Sequence, residues 1–144
     1  MNEILNLSAR DKVNAIETEI LKHEQIELEL EHYFAPGVCV RQLFVPKGVL
    51  LTGKIHKYQQ LHFVLRGDIS ILIGDELKRF KTSSIISSPA GSKRVAYAHE
   101  DTIWMMVLGT HETDIEKIEQ QFTAATEKEY LAFCKQIEAD KCLE

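Results

Sequence analysis

The chain of 144 residues holds few of the residues that break or staple a backbone: three prolines, seven glycines and three cysteines. That scarcity excludes a collagen-like or low-complexity chain, and 44% apolar with 27% charged residues is the make-up of one ordinary globular domain. Cys39, Cys134 and Cys142 form neither an even set nor a C-x-x-C, which argues against a disulfide framework and a thiolate zinc site. They are expected to be reduced thiols packed as small hydrophobes. Long apolar runs are also missing. The stretches Val49 to Thr52 and Thr102 to Thr110 fall well short of the roughly 20 residues that cross a bilayer. The first ten residues lack the basic and apolar parts of a secretory signal, so a cytoplasmic chain with no membrane partner is expected. No P-loop, G-x-S-x-G, H-E-x-x-H or G-x-G-x-x-G occurs, so kinase, hydrolase, zincin and dinucleotide readings lack their motifs.

What is present is segregated charge. The net charge of −5 divides into −5 over residues 1–40, +7 over residues 41–94 and −7 over residues 95–144. A basic island between acidic flanks can attract a small anion, while the flanks repel a long polyanion, which argues against duplex nucleic acid. The plainer alternative is that these Lys and Arg residues keep strand edges soluble and unpaired.

The periodicity changes three times along the chain. Ser8 followed by Val13, Ile16 and Ile20 predicts a short amphipathic helix within a segment 1–24. From Gln25, apolar and acidic residues alternate as far as Phe34, which predicts a half-exposed strand. Short β segments follow over residues 25–111, broken by Ala35-Pro36-Gly37, Pro46-Lys47-Gly48, Gly67-Asp68 and Gly74-Asp75, and the Gly-Asp pairs predict hairpins. Thr113-Asp114-Ile115-Glu116 and Thr126-Glu127-Lys128-Glu129 have the capping-box form, so two helices are expected over residues 112–144. Ile115, Ile118 and Phe122 stripe the first, and Tyr130, Phe133, Cys134 and Ile137 the second, each able to pack on the β body or on a partner subunit.

Within the β region, the stretch from Gly48 through Lys54, His56 and Gln60 to Gly67 keeps every spacing of the first cupin motif, G-x5-H-x-H-x3-E-x6-G. Ser-Ser-Pro89-Ala-Gly91-Ser-Lys-Arg94 resembles the P-x-G-x-x-H of the second. Together they cover about a third of the chain. The pattern resembles that of small cupin-like proteins of bacteria and tailed phages, with their T-G-K-I-H-K and P-A-G-x-K-R. It implies a mainly β fold: a single cupin-type jelly-roll β-barrel, often dimeric, here with a short N-terminal helix and two C-terminal helices. In metal cupins the matching His, His, Glu and His positions hold one transition-metal ion. Carried over position by position they are Lys54, His56, Gln60 and Arg94, of which only His56 is an ordinary ligand. The usual metal site is therefore broken, and no cofactor is expected. A divalent transition metal, if bound, would need His56 and His62 with a further donor.

If the register holds, Lys54, His56, Gln60, His62 and Arg94 converge inside the barrel as a cationic pocket, with Tyr58, Tyr97 or Trp104 able to stack a base or sugar. The reading is a cupin-like binder of a small anionic metabolite or nucleotide through Lys54, His56, Tyr58, Gln60, His62 and Arg94. It leans away from catalysis and, by resemblance, toward a phage-type sequestering protein that forms a homodimer. The alternatives are a metal-dependent or metal-free cupin enzyme of isomerase, epimerase or dioxygenase type acting on a sugar or keto acid, and a purely structural homodimer module. Lys54 and Arg94 could instead pair with Glu100 or Asp101.

Overall fold

A computed structural model describes residues 8–142. The first seven residues of the expected N-terminal segment, and residues 143 and 144, lie outside it. Helix α1 (Ala9–Ile20) starts where the sequence puts it, with the Ser8 hydroxyl accepting from the Asp11 amide at 3.2 Å. Val13 is its buried contact, and Glu17 anchors it by accepting from Thr52 and Lys93.

Ten strands follow: β1 (Leu30–Ala35), β2 (Val38–Val45), β3 (Leu50–Thr52), β4 (Ile55–His56), β5 (Gln60–Arg66), β6 (Asp68–Ile73), β7 (Glu76–Lys81), β8 (Ser84–Ser88), β9 (Val95–Ala98) and β10 (Thr102–Leu108). Then come α2 (Ile115–Phe122), β11 (Thr123–Ala124) and α3 (Glu127–Cys142). The chain is mainly β, with antiparallel sheets ordered β1-β2-β10-β5-β8 and β3-β9-β6-β7, and a small pair β11-β4. The expected jelly roll is present as separate sheets, not as one ladder closed on itself. The core lies between the two large sheets, where Val64, Ile86 and Trp104 of one meet Ile69, Ile71 and Ala96 of the other.

Two local expectations are corrected. Gly67-Asp68 is not a hairpin turn, because β5 pairs with β8 and β10 while β6 pairs with β7 and β9. The chain passes from one sheet to the other there, and Gly67, at φ +123°, lies so close to Thr102 that a Cβ would sit 2.4 Å from its Oγ1. Gly74-Asp75 does turn a hairpin, with Ile73 opposite Glu76. The strand expected from Gln25 is regular only from Leu30, and of its side chains only His32 is partly buried. An edge strand with one neighbour has no second ladder to extend it.

The C-terminal helices also differ in detail. Asp114, one residue later than expected, caps α2 by accepting from Glu116 and Lys117. Thr126 does cap α3, accepting from the Glu129 amide, while Glu129 reaches back to the Ala125 amide. Ile118 packs with Cys39, Leu108 and Phe122 and fixes α2 to the ends of β2 and β10. The stripe Tyr130, Phe133, Cys134 and Ile137 is half-buried, with Phe133 edge-on to Tyr58 at 5.3 Å. Of the three cysteines only Cys39 is buried; Cys142 is exposed. Among the described residues no helix is long and apolar enough to cross a membrane.

Candidate ligand-binding site

Period-two alternation directs His62, Val64, Trp104 and Met106 of the five-stranded sheet to its inner face. On that face His62 is fully buried and both ring nitrogens are engaged. The Trp104 indole N–H donates to its Nδ1 at 2.8 Å, so Nε2 carries the proton and donates to the Ser88 hydroxyl at 2.7 Å. Burial first, then the neighbouring Arg94 and His56, push the His62 pKa down to about 3.

Arg94 is the centre of the site. Its side chain is only 5% exposed. Nη2 donates to His56 Nε2 at 2.7 Å and to Gln60 Oε1 at 2.9 Å, and Nη1 donates to Ser88 Oγ at 3.3 Å. The guanidinium lies 5.1 Å from the Trp104 ring centre and 4.0 Å from the Met106 sulfur. Burial lowers its pKa to about 10, so it stays charged at neutral pH. Every one of these partners is neutral. Neither Glu100 nor Asp101 pairs with it: Glu100 pairs with Lys47, and Asp101 accepts from the Lys47 amide.

His56 accepts from Arg94 through Nε2, so its proton is on Nδ1, which is buried and has no hydrogen-bond partner among the described residues. Burial, then Arg94 and Arg41, hold the ring neutral with a pKa of about 3. The main chain of His56 is held on both sides, by Thr123 of β11 and by hydrogen bonds with Gly91 and Ser92.

Arg94 and His56 form one end of a cavity of about 250 Å³, whose wall also holds Arg41, Lys54, Trp104 and Glu119. Its apolar wall includes Leu28, Leu43, Leu51 and Met106. Lys54 is at the rim, half exposed, with its ammonium 3.3 Å from Glu119 Oε1, and the other Glu119 oxygen lies 2.9 Å from Arg41 Nη1. The acidic C-terminal flank thus reaches over the basic island, through a residue the sequence reading did not name. The structure joins His56, Gln60, His62 and Arg94 through one hydrogen-bond network that runs by way of Ser88, while Lys54 shares only the cavity wall with His56 and Arg94. Gln60 and His62 lie behind Arg94 and do not line the cavity. Tyr58 lies outside it, packed edge-on to Phe122 and Phe133. Tyr97 faces away, beside His99 on the other sheet.

Arg41, Glu119, Ser88 and Met106 were not singled out from the sequence. Arg41 was legible: it falls in phase with Cys39, Leu43 and Val45, so the alternation that turns those three inward turns the charge inward as well. Glu119 was legible too: it stands at the i+4 position of the α2 stripe of Ile115, Ile118 and Phe122, where the helical period places a half-buried side chain.

The residues present do not fit the cupin metal. The lone pair of His56 Nε2 receives an Arg94 proton, both His62 nitrogens are occupied, and the guanidinium itself sits between His56 and Gln60. Among the described residues no group of three or more His, Cys, Asp or Glu side chains is placed to hold a metal ion.

No protein-family model matches the sequence, and no curated protein does. Solved structures do match by fold. The plu4264 protein of Photorhabdus luminescens has a TM-score of 0.52 at 15% identity, over 81% of this chain and 89% of its own. KdgF of a Halomonas species also has a TM-score of 0.52 at 15% identity, over 66% and 92%. A cupin superfamily protein of Desulfitobacterium hafniense has a TM-score of 0.50 at 10% identity, over 60% and 81%. Two antiparallel sheets enclosing the motif positions, together with these neighbours, establish that the chain has the cupin fold.

Proposed function

We propose that this protein binds a small anion in the cavity between its sheets, with Arg94 as the principal contact and Arg41, Lys54 and His56 around it. One observation carries the reading: a charged guanidinium, 5% exposed, has only neutral partners among the described residues and borders a cavity whose wall holds two further cations. Removing a charge from water costs several kcal/mol unless an opposite charge compensates, and a carboxylate or phosphate on Arg94 supplies that compensation. His56 and Gln60 take both Nη2 protons of Arg94 and Ser88 takes one Nη1 proton, which holds the group in one orientation and leaves its Nε–H and one Nη1–H as donors for a ligand oxygen. His56 and His62 are neutral and hydrogen-bonded, and neither has a carboxylate partner, so a binding role suits them better than acid–base catalysis.

Native mass spectrometry of the protein as purified tests this directly. The expected result is a bound anion and no stoichiometric metal. Arg94→Ala should weaken that anion by at least about 30-fold, or ~2 kcal/mol, as for loss of a desolvated charge-assisted pair. Circular dichroism of the variant separates lost binding from lost folding. A stoichiometric transition metal that disappears in His56→Ala would overturn the reading in favour of a metal-dependent cupin enzyme.

A second reading concerns assembly. The outward face of the five-stranded sheet is largely apolar, with Met105, Phe63, Ile85, Val107 and Leu61 beside the polar Gln42, Ser87 and edge Glu31, and Ile85 is 79% and Leu61 54% exposed. A sheet with one face in water ordinarily alternates to polar residues there. We propose that a second copy of the chain covers this face. The central outward positions carry no charge, so an isologous pairing brings no like charges face to face at its centre. Five strands about 4.8 Å apart and roughly 24 Å long make a flat footprint of about 550 Å², of the same order as the ~800 Å² each partner gives to a stable interface.

A further inference from the structure

The cavity wall carries more information about the ligand than its sign. Its charged groups are Arg41, Lys54 and Arg94 against the single carboxylate of Glu119, with His56 neutral. The excess is two positive charges. Glu119 is held for this role by its neighbours in sequence: Ile118 is buried against Cys39 and Leu108, and Thr123 pairs with His56 at the cavity wall. Both of its oxygens are used, one on Arg41 and one on Lys54, so these two cations are partly compensated while Arg94 is not. Arg41 Nε, like His56 Nδ1, is a buried donor with no partner among the described residues.

Size and wall chemistry narrow the class further. A cavity of about 250 Å³ lies below the roughly 300–1,000 Å³ of sites that take drug-sized ligands. A site this size encloses a small acid more completely than a nucleotide. Apart from its charged groups the wall is largely apolar, with Leu28, Leu43, Leu51, Met106 and the Trp104 ring. Phosphate alone leaves that wall without a partner, whereas a short hydrocarbon spacer covers it.

We propose, on the basis of the anion-binding reading above, that the ligand is a short-chain dicarboxylate whose two charges match the excess left by Glu119, and that Glu119 sets this preference. One carboxylate sits on Arg94, the spacer lies on the leucines and Met106, and the second carboxylate reaches the Arg41 and Lys54 side. Glu119 is a specificity-determining residue here because removing its charge changes what the cavity must neutralise.

Isothermal titration of the full chain with succinate, glutarate, butyrate, inorganic phosphate and adenosine monophosphate tests the proposal, alongside Glu119→Gln. The expected result is a dicarboxylate at least tenfold tighter than butyrate or phosphate, with no binding of the nucleotide. Glu119→Gln, which keeps the shape and a hydrogen-bonding oxygen, should tighten the dicarboxylate at least threefold, and by more than it tightens butyrate. Its thermal midpoint, measured in parallel, shows that the fold is intact. Butyrate equal to succinate, phosphate tighter than either, or nucleotide binding would overturn the dicarboxylate assignment while leaving Arg94-dependent anion binding in place. Binding unchanged in Glu119→Gln would overturn its role. Failure of all five anions, with no anion found on the purified protein, would instead remove the underlying reading.

Discussion

Acid should unfold this protein earlier than its carboxylates alone would require, and the reason is the pair of buried histidines. His56 and His62 titrate near 6.5 in an unfolded chain but are held at about 3 in the fold, chiefly by burial and secondarily by Arg94. Between those values the unfolded chain binds more protons than the folded one, so stability is fully present above about pH 6.5 and is lost as pH falls toward 3. From pH 7 to pH 5, a shift of this size costs about 2 kcal/mol for each ring, or about 4 kcal/mol for both. That is a large share of the roughly 7–20 kcal/mol expected of a domain this long. His32, lowered by burial and by Arg41, adds in the same direction. Glu17, Glu19, Asp68 and Glu112 also have lowered values, but their ordinary values of 3.8 to 4.5 keep them out of the window above pH 5.5. Urea unfolding at pH 7, 6, 5.5 and 5 measures the effect. His62→Gln should remove close to half of the histidine-dependent loss even if it lowers stability overall. A free energy of unfolding that stays flat from pH 7 to pH 5, or a slope unchanged by His62→Gln, would refute the neutral, buried state derived for these rings.

Gly67→Ala should cost about 2–4 kcal/mol, because an added Cβ meets Thr102 at 2.4 Å in a backbone conformation of positive φ; Gly53→Ala, with open space around it, should cost far less in the same denaturant series. Sedimentation velocity should show a dimer for the native chain and a monomer for Leu61→Glu with Ile85→Glu, with anion binding retained. A native monomer at tens of micromolar, or a double variant that still dimerises, would refute the apolar outer face as the pairing surface.

Much of this architecture is readable from local pattern. The α1 cap at Ser8, the β6–β7 turn at Gly74-Asp75, the Thr126 cap and the half-buried stripe of α3 each depend on residues a few positions apart, so spacing alone places them. The spacings of the two motifs, Gly48 to Gly67 and Pro89 to Arg94, likewise pointed to His56, Gln60 and Arg94, which meet in the fold. Other features depend on groups far apart in the chain, which no local period encodes. Gly67-Asp68 has the chemistry of a hairpin but crosses between sheets, because the strands on either side find partners elsewhere. Arg94 has neutral partners while Glu119, 65 positions beyond Lys54 in sequence, closes on Lys54 and Arg41. Tyr58 is drawn out of the site by the aromatic residues of the C-terminal helices. The sequence determined that the cupin ligand positions hold cationic and neutral residues, since that follows from residue identity. Only the tertiary structure decided how many of those charges are left uncompensated, because compensation depends on which distant carboxylate arrives within a few ångströms and which does not.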